Sequence, residues 1–257
     1  MADSFPEFNL DGKTAVVTGG SRSIGRGAAI ALGQAGANVV VSGRTRPDLD
    51  SVKAEIESTG AKALAVECDV KDAAAVDRLV DETVSAFGSL DVMVANAGIF
   101  QRWDTSENLT LEEWEDIYET NLRGAMLTCM AAGRQMIKQG SGGSIVTISS
   151  IQGLTSIQGT MAYVAAKHGV IGMTKSLAVD WAKQNIRVNA IAPGFIARDV
   201  EPLQQDPTAI NFVTSRTPMQ RWGTTRELAL AVLYLSSPAS SYVTGATLAV
   251  DGGWLAQ

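Results

Sequence analysis

The sequence predicts an α/β protein with a doubly wound, mostly parallel sheet and helices on both faces. Three observations predict it. Short apolar runs alternate with longer helical patterns along all 257 residues. The short runs are apolar nearly throughout, as burial on both sides of a parallel sheet requires. No linker, repeat or low-complexity stretch divides the chain, so one domain spanning residues 1–257 is expected.

The elements follow in order. Thr14–Thr18 reads as a buried strand, and Ile24–Ala35 as a helix ending at Gly36. Asn38–Ser42 is a second strand, and Leu49–Thr59 a helix capped by Gly60. Lys62–Glu67 is a third strand, followed by a helix over Asp72–Phe87 that Gly88 closes. Leu90–Ala95 is a fourth strand. Thr110–Gln139 reads as one long helix, with Thr110 and Glu113 spaced as a capping box. Ser144–Ser149 is a fifth strand, Ala162–Gln184 a helix and Ile186–Ala192 a sixth strand. Ile196–Gly223 is a long, irregular, proline-containing stretch placed to serve as a substrate lid. Thr224 and Glu227 open another capped helix, and Thr247–Val250 is the last strand.

Composition excludes several functions. A net charge of −6 argues against nonspecific binding to nucleic acid or anionic membranes. Two cysteines, Cys68 and Cys129, are too few for a disulfide scaffold, and the single His168 leaves no metal site and no histidine-based triad to expect. The first seven residues have neither a basic region nor an apolar run, and no stretch approaches the ~18 apolar residues of a membrane span. A cytoplasmic protein is expected.

In such sheets ligands bind beyond the carboxyl ends of the strands. The first strand ends in Gly19, Gly20, Ser21, Arg22, Ser23, Ile24 and Gly25. A glycine-rich turn entering a helix lets backbone N–H groups approach a pyrophosphate, with the helix dipole behind them. An NAD site usually places an acidic residue after the second strand, but here Gly43 is followed by Arg44, with no carboxylate before Asp48. Arg44 and Arg22 are suited to grip a 2′-phosphate. The turn therefore points to NADP(H), with NAD(H) as the alternative.

With the glycine turn, the chain carries Cys68-Asp69-Val70, Ala95-Asn96-Ala97-Gly98, Asn121, Ser150, Tyr163 with Lys167, and Pro193-Gly194 in order. On these motifs it resembles the short-chain dehydrogenase/reductase family over nearly its whole length. The resemblance implies a Rossmann-type sheet and a cytoplasmic homotetramer. It also implies that Asp69 and Val70 hold the adenine, and that Asn96, Ala97 and Gly98 support the central strands and the adenosine ribose. Pro193, Gly194 and Ile196 would line the nicotinamide end.

The catalytic set implied is Asn121, Ser150, Tyr163 and Lys167, and its chemistry is sound. Reducing a ketone needs a proton donor, and oxidising an alcohol needs a base. A phenol has a pKa of ~10, too high to serve unaided. Lys167 lies four residues after Tyr163, ~6 Å along a helix, where its charge favours phenolate. Ser150 is placed to hydrogen-bond the substrate oxygen. By resemblance Lys167 and Tyr163 also meet the nicotinamide ribose, and Asn121 keeps a water in the proton relay. Two positions depart from the family pattern. Ser23 replaces a glycine of the turn, and Arg198 stands where many relatives carry threonine.

The substrate is a small carbonyl or alcohol compound. Arg102, Gln152, Gln158 and Arg198 are candidates to read hydroxyls or a carboxylate. Arg216–Gly223 and the tail from Tyr242 are similar to segments of gluconate and deoxy-gluconate dehydrogenases and also of 3-oxoacyl reductases. A keto sugar acid or polyol therefore competes with apolar ketones or 3-oxoacyl thioesters. A non-catalytic dinucleotide-binding regulator is a third reading.

Overall fold

A computed structural model describes residues 5–197 and 205–257. The elements are β1 Thr14–Thr18, α1 Ser23–Gln34, β2 Asn38–Gly43, α2 Arg46–Glu57, β3 Ala63–Glu67, α3 Ala73–Phe87, β4 Val92–Ala95, α4 Leu111–Ile117, α5 Gly124–Gln139, β5 Gly143–Ile148, α6 Met161–Trp181, β6 Ile186–Pro193, α7 Pro207–Arg216, α8 Thr225–Ser236 and β7 Thr247–Val250. The described strands form one seven-stranded sheet in the order β3-β2-β1-β4-β5-β6-β7. Every pairing is parallel. The chain starts in the middle with β1, winds outward to β3, then crosses back to β4 on the other side. The carboxyl ends of β1 and β4 therefore flank the switch point where such sheets bind ligands.

The two faces separate along each strand with a period of two. Ala15, Val17, Val39, Val41, Val92 and Val94 pack with Leu32, Leu49, Ile56, Leu228 and Val232, so α1, α2 and α8 cover one face. Val16, Val40, Met93, Ile145 and Val188 pack with Val76, Leu79, Cys129, Met136 and Leu177, so α3, α5 and α6 cover the other. Burial pushes the Cys68 thiol up to about 11 and the Cys129 thiol up to about 12, which keeps both protonated and unreactive.

Three elements differ from the sequence reading. The long helix expected over Thr110–Gln139 keeps its capping box, but a π-helical turn at Tyr118–Arg123 divides it into α4 and α5. A single extra residue in such a turn leaves the hydrophobic period on either side intact, so the pattern does not reveal it. The stretch expected to be irregular contains α7. Asp206 caps it by accepting from the Thr208 N–H at 2.8 Å, and Pro207 occupies its first turn. A proline there starts a helix rather than breaking one. Finally, α2 begins at Arg46 rather than Leu49, again with proline in the first turn. Among the described residues no helix is long and apolar enough to cross a membrane.

Candidate active site

The turn after β1 is held against the end of β4. The Thr18 hydroxyl accepts from the N–H groups of Asn96 (3.1 Å) and Ala97 (3.2 Å). The Asn96 amide donates to the carbonyls of Thr18 (2.8 Å) and Gly19 (3.1 Å). The fit excludes side chains. A Cβ on Gly19, at φ +63°, would lie 2.9 Å from the Ala97 Cα, and one on Gly25 would overlap the Gly19 carbonyl oxygen and lie 2.6 Å from the Asn96 amide nitrogen. Ser23, where the family pattern has glycine, adopts φ +49°, and its hydroxyl is buried without a hydrogen-bond partner. Left-handed backbone costs a residue with a Cβ about 1 kcal/mol or more, and the unmet hydroxyl adds to it. Ser23→Gly is therefore expected to stabilise the protein by about 1 kcal/mol, or ~2–4 °C in melting temperature. An unchanged or lower melting temperature would show that the strain is not there.

Ser21 stands beside Gly43 at the end of β2, its hydroxyl 3.7 Å from where a Cβ of Gly43 would be. Arg22 and Arg44 follow on this rim, both exposed and with guanidinium groups that have no ion-pair or hydrogen-bond partner among the described residues. The neighbouring Arg46 is paired with Asp50. Ile24 is half-buried against the core beneath α1. Beyond β3, Asp69 accepts the Lys71 N–H at 3.0 Å, and Val70 is buried. At the other end of the cleft, Gly194 passes so close to Asp251 that a Cβ would sit 2.8 Å from its Cα. Ile196 is bridged to Gly223.

The loops after β4 and β5 and the start of α6 bring the remaining groups together. Ser150, two residues past β5, accepts the Gln152 N–H on its hydroxyl at 3.1 Å. Lys167 is buried, and its Nζ donates to the Ile148 carbonyl at 2.8 Å and stands 5.4 Å from the centre of the Tyr163 ring. Asn121 lies in the π-helical turn. Its amide nitrogen donates to the Ile99 carbonyl and its amide oxygen accepts the Ile99 N–H, both at 2.8 Å. One bond at each end fixes the orientation of that side chain. Gly98 keeps the loop near both groups: a Cβ there would be 3.1 Å from the Asn121 amide oxygen and 3.7 Å from Lys167 Nζ. Gln101 also belongs to this assembly. Its side chain accepts the Tyr163 N–H at 2.8 Å and donates to the Gly159 carbonyl at 3.3 Å, holding the first turn of α6. His168 is exposed, with Nδ1 2.9 Å from the Val164 carbonyl of its own helix.

A family model described as enoyl-(acyl carrier protein) reductase matches residues 19–255. The chain is 37% identical over 254 residues to 2-dehydro-3-deoxy-D-gluconate 5-dehydrogenase of Escherichia coli, covering 97% of this chain and 98% of the relative. It is 40% identical over 246 residues to the 3-oxoacyl-acyl-carrier-protein reductase FabG of Staphylococcus aureus, covering 94% and 97%. The crystal structure of a short-chain type dehydrogenase/reductase from Mycobacterium marinum superposes with a TM-score of 0.93 at 38% identity, over 98% of this chain and 99% of that one. The chain belongs to the short-chain dehydrogenase/reductase family. It is thus an oxidoreductase on a Rossmann-type sheet, as its motifs imply.

A cluster of aromatic rings extends from Tyr163. The Tyr163 ring lies 4.7 Å from Phe100, Phe100 lies 5.9 Å from Trp103, and Trp103 lies 6.1 Å from Phe212 on α7. Phe195 and Trp254 complete the cluster, at 6.0 and 5.9 Å from Phe212 respectively. No motif in the sequence shows that α7 and the chain's tail bring Phe212 and Trp254 together. The polar candidates are less available. The Arg102 guanidinium donates to Asp104 at 2.6 Å and to Glu113 at 3.2 Å. Gln152 is buried, and its side-chain oxygen accepts the Thr160 hydroxyl at 2.6 Å. Gln158 is exposed, and its main-chain carbonyl accepts the Trp103 indole N–H at 2.6 Å. Arg198 lies outside the described residues.

Proposed function

We propose that the enzyme interconverts a secondary alcohol and a ketone with NADP(H) as cofactor, on one catalytic unit with a lid near residues 196–223. The observation that carries this reading is Lys167, buried and fixed on the Ile148 carbonyl with its charge 5.4 Å from the Tyr163 ring centre. A cation so placed favours the phenolate and makes a tyrosine usable as a base. In reduction Tyr163 gives its phenolic proton to the forming alkoxide, and in oxidation it takes the proton from the alcohol. Ser150 donates a hydrogen bond to the same substrate oxygen and stabilises its developing charge. Asn121 keeps Ile99, and with it the loop edge beside Lys167, in place.

The cofactor reading rests on the fit of the cradle. The glycine turn leaves no room for side chains, and Arg22 and Arg44 present uncommitted guanidinium groups at the far rim. When bound, NADP(H) supplies or accepts the hydride. A dehydrogenase from Agrobacterium tumefaciens, described as a putative 2-deoxy-D-gluconate 3-dehydrogenase, was crystallised with NADP, and it superposes with a TM-score of 0.90 at 37% identity, over 98% of this chain and 99% of that one. Here Arg22 and Arg44 would hold the 2′-phosphate, and Asp69, Val70 and Asn96–Gly98 the adenosine. Arg44→Asp should raise the KM for NADPH relative to NADH by about 10–100-fold, the worth of one charge-assisted contact. An unchanged ratio would remove the phosphate role.

For the substrate, a keto sugar acid or polyol is the first reading, supported by the sugar-acid relatives. The aromatic walls favour the second, an apolar ketone or 3-oxoacyl thioester. A panel of ketones, polyols, sugar acids and acyl thioesters, followed at the nicotinamide absorbance with both cofactors, tests the proposal. Turnover of none of them would sink it. The non-catalytic regulator is set aside, because the curated relatives are named dehydrogenases and reductases. A homotetramer fits the apolar side chains exposed on helices, Met126, Ile137, Val179 and Leu230 among them. A cytoplasmic setting fits the two free, buried thiols.

A further inference from the structure

Three arginines among the described residues have neither an ion pair nor a hydrogen bond from the guanidinium: Arg22, Arg44 and Arg216. The others are engaged, as by Glu55 for Arg26, Asp50 for Arg46, Asp77 for Arg134 and Glu227 for Arg221. Arg22 and Arg44 flank the cofactor cradle. Arg216 is elsewhere, on the last turn of α7, with its guanidinium carbon 4.4 Å from the centre of the Phe212 ring. Stacking on an aromatic face orients the planar group without consuming its hydrogen-bond donors.

Arg216 opens onto a cavity of about 670 Å³ lined also by Trp103, Phe212, Trp254 and Gln158. It is the single cation of that lining. The single carboxylate, Asp104, is neutralised by Arg102 at 2.6 Å and further held by Asn108 and the Thr105 N–H, which keep its carboxyl below the usual range. Ser150, Tyr163 and Lys167 do not line this cavity. A run of aromatic rings leads from Tyr163 to it. From Tyr163 the steps are 4.7 Å to Phe100, 5.9 Å on to Trp103, 6.1 Å to Phe212 and 4.4 Å to the Arg216 guanidinium.

We infer that Arg216 is a specificity determinant that anchors an anionic group of the substrate while Tyr163 works on the carbonyl. The inference rests on the ketone–alcohol reading above. It also moves the carboxylate-reading role away from Arg102, whose charge two acidic residues already take. A substrate that fits has a ketone at one end, a body able to lie along aromatic faces, and a carboxylate or phosphate at the other. The anion has two sources: the carboxylate of a keto acid long enough to lie along these rings, or a phosphate on the carrier arm of an acyl thioester.

Two matched pairs separate them. 15-Oxohexadecanoate is compared with its neutral amide, and acetoacetyl-coenzyme A with acetoacetyl-N-acetylcysteamine, which lacks the phosphates. In Arg216→Ala, kcat/KM should fall ~10–100-fold for the anionic member of one pair and stay within about twofold for its neutral partner. A selective loss in the first pair assigns a carboxylate, and in the second a phosphate. Arg216→Lys should recover part of the loss, because the charge returns without the stacking plane. A purely structural role at the end of α7 would give no such recovery. Equal losses for both members of each pair, or no loss in either, would overturn the proposal. Binding without turnover keeps this test apart from the reaction itself. D-Gluconate and D-gluconamide are titrated into wild type and Arg216→Ala loaded with NADP, with tryptophan fluorescence of Trp103 and Trp254 as the signal. If no ketone is reduced, yet Arg216→Ala weakens whichever response favours gluconate over its amide, the reaction reading fails and the anchor stands. If gluconate and its amide respond alike in both proteins and neither substrate pair discriminates, the anchor falls.

Discussion

Tyr163→Phe should lose at least ~10³-fold in kcat while binding NADPH as well as wild type, the range expected when general acid–base catalysis is removed. The substitution deletes one oxygen and keeps the ring. Its packing against Phe100 at 4.7 Å survives, as does the Gln101 bond to the residue's N–H, which does not depend on the side chain. Lys167 keeps its bond to the Ile148 carbonyl. The fold and the cofactor cradle should therefore be undisturbed, and only proton transfer is lost. Among the described residues neither His168 nor a thiol is placed to substitute. His168 is exposed and turned onto its own helix, and the two thiols are buried. Activity within tenfold of wild type would show that the proton travels by another route.

Gly25→Ala should be the most damaging single-methyl change in the cofactor turn. The added carbon would overlap the Gly19 carbonyl oxygen and press the Asn96 amide at 2.6 Å, and the first of these is backbone that cannot rotate away. Overpacking of this kind costs about 1–3 kcal/mol, or several degrees in melting temperature at ~2–4 °C per kcal/mol. Cofactor affinity should fall with it, since Asn96 spans Thr18 and Gly19. Gly172→Ala is the control. A Cβ there meets nothing within 4 Å, and alanine in a helix interior gains up to ~1 kcal/mol over glycine. The first variant should melt below wild type and the second at or above it. The reverse order would mean that the turn yields more readily than its contacts suggest.

Much of the fold was legible because burial on both faces makes strands apolar and glycine marks the helix ends. The seven strands appear where the short runs placed them, within one or two residues at their ends. What escaped has local causes. The π-helical turn at Tyr118–Arg123 leaves no trace in the apolar period. The helix that starts at Pro207 escaped because its capping by Asp206 depends on a backbone bond that composition does not show. In the site, the ordered motifs located Ser150, Tyr163 and Lys167, since four residues on a helix fix two of them as neighbours. Partnering was not legible. The sequence shows that Arg102 and Arg216 are arginines, but only three-dimensional packing brings Asp104 and Glu113 to the first and leaves the second stacked on Phe212.

The divided helix has an evolutionary consequence. A π turn is one residue more than a continuous α-helix needs to carry the chain the same distance. The flanking segments, α4 and α5, are each accounted for by their own caps and packing, with the capping box at Thr110 and the left-handed Gly140 at the far end. The amide that clasps Ile99 thus sits in an insertion, on a helix whose core contacts lie on either side of it. Such a unit can be gained or lost without redesigning the scaffold, so one inserted or deleted residue is enough to make or undo the clasp on the loop beside Lys167.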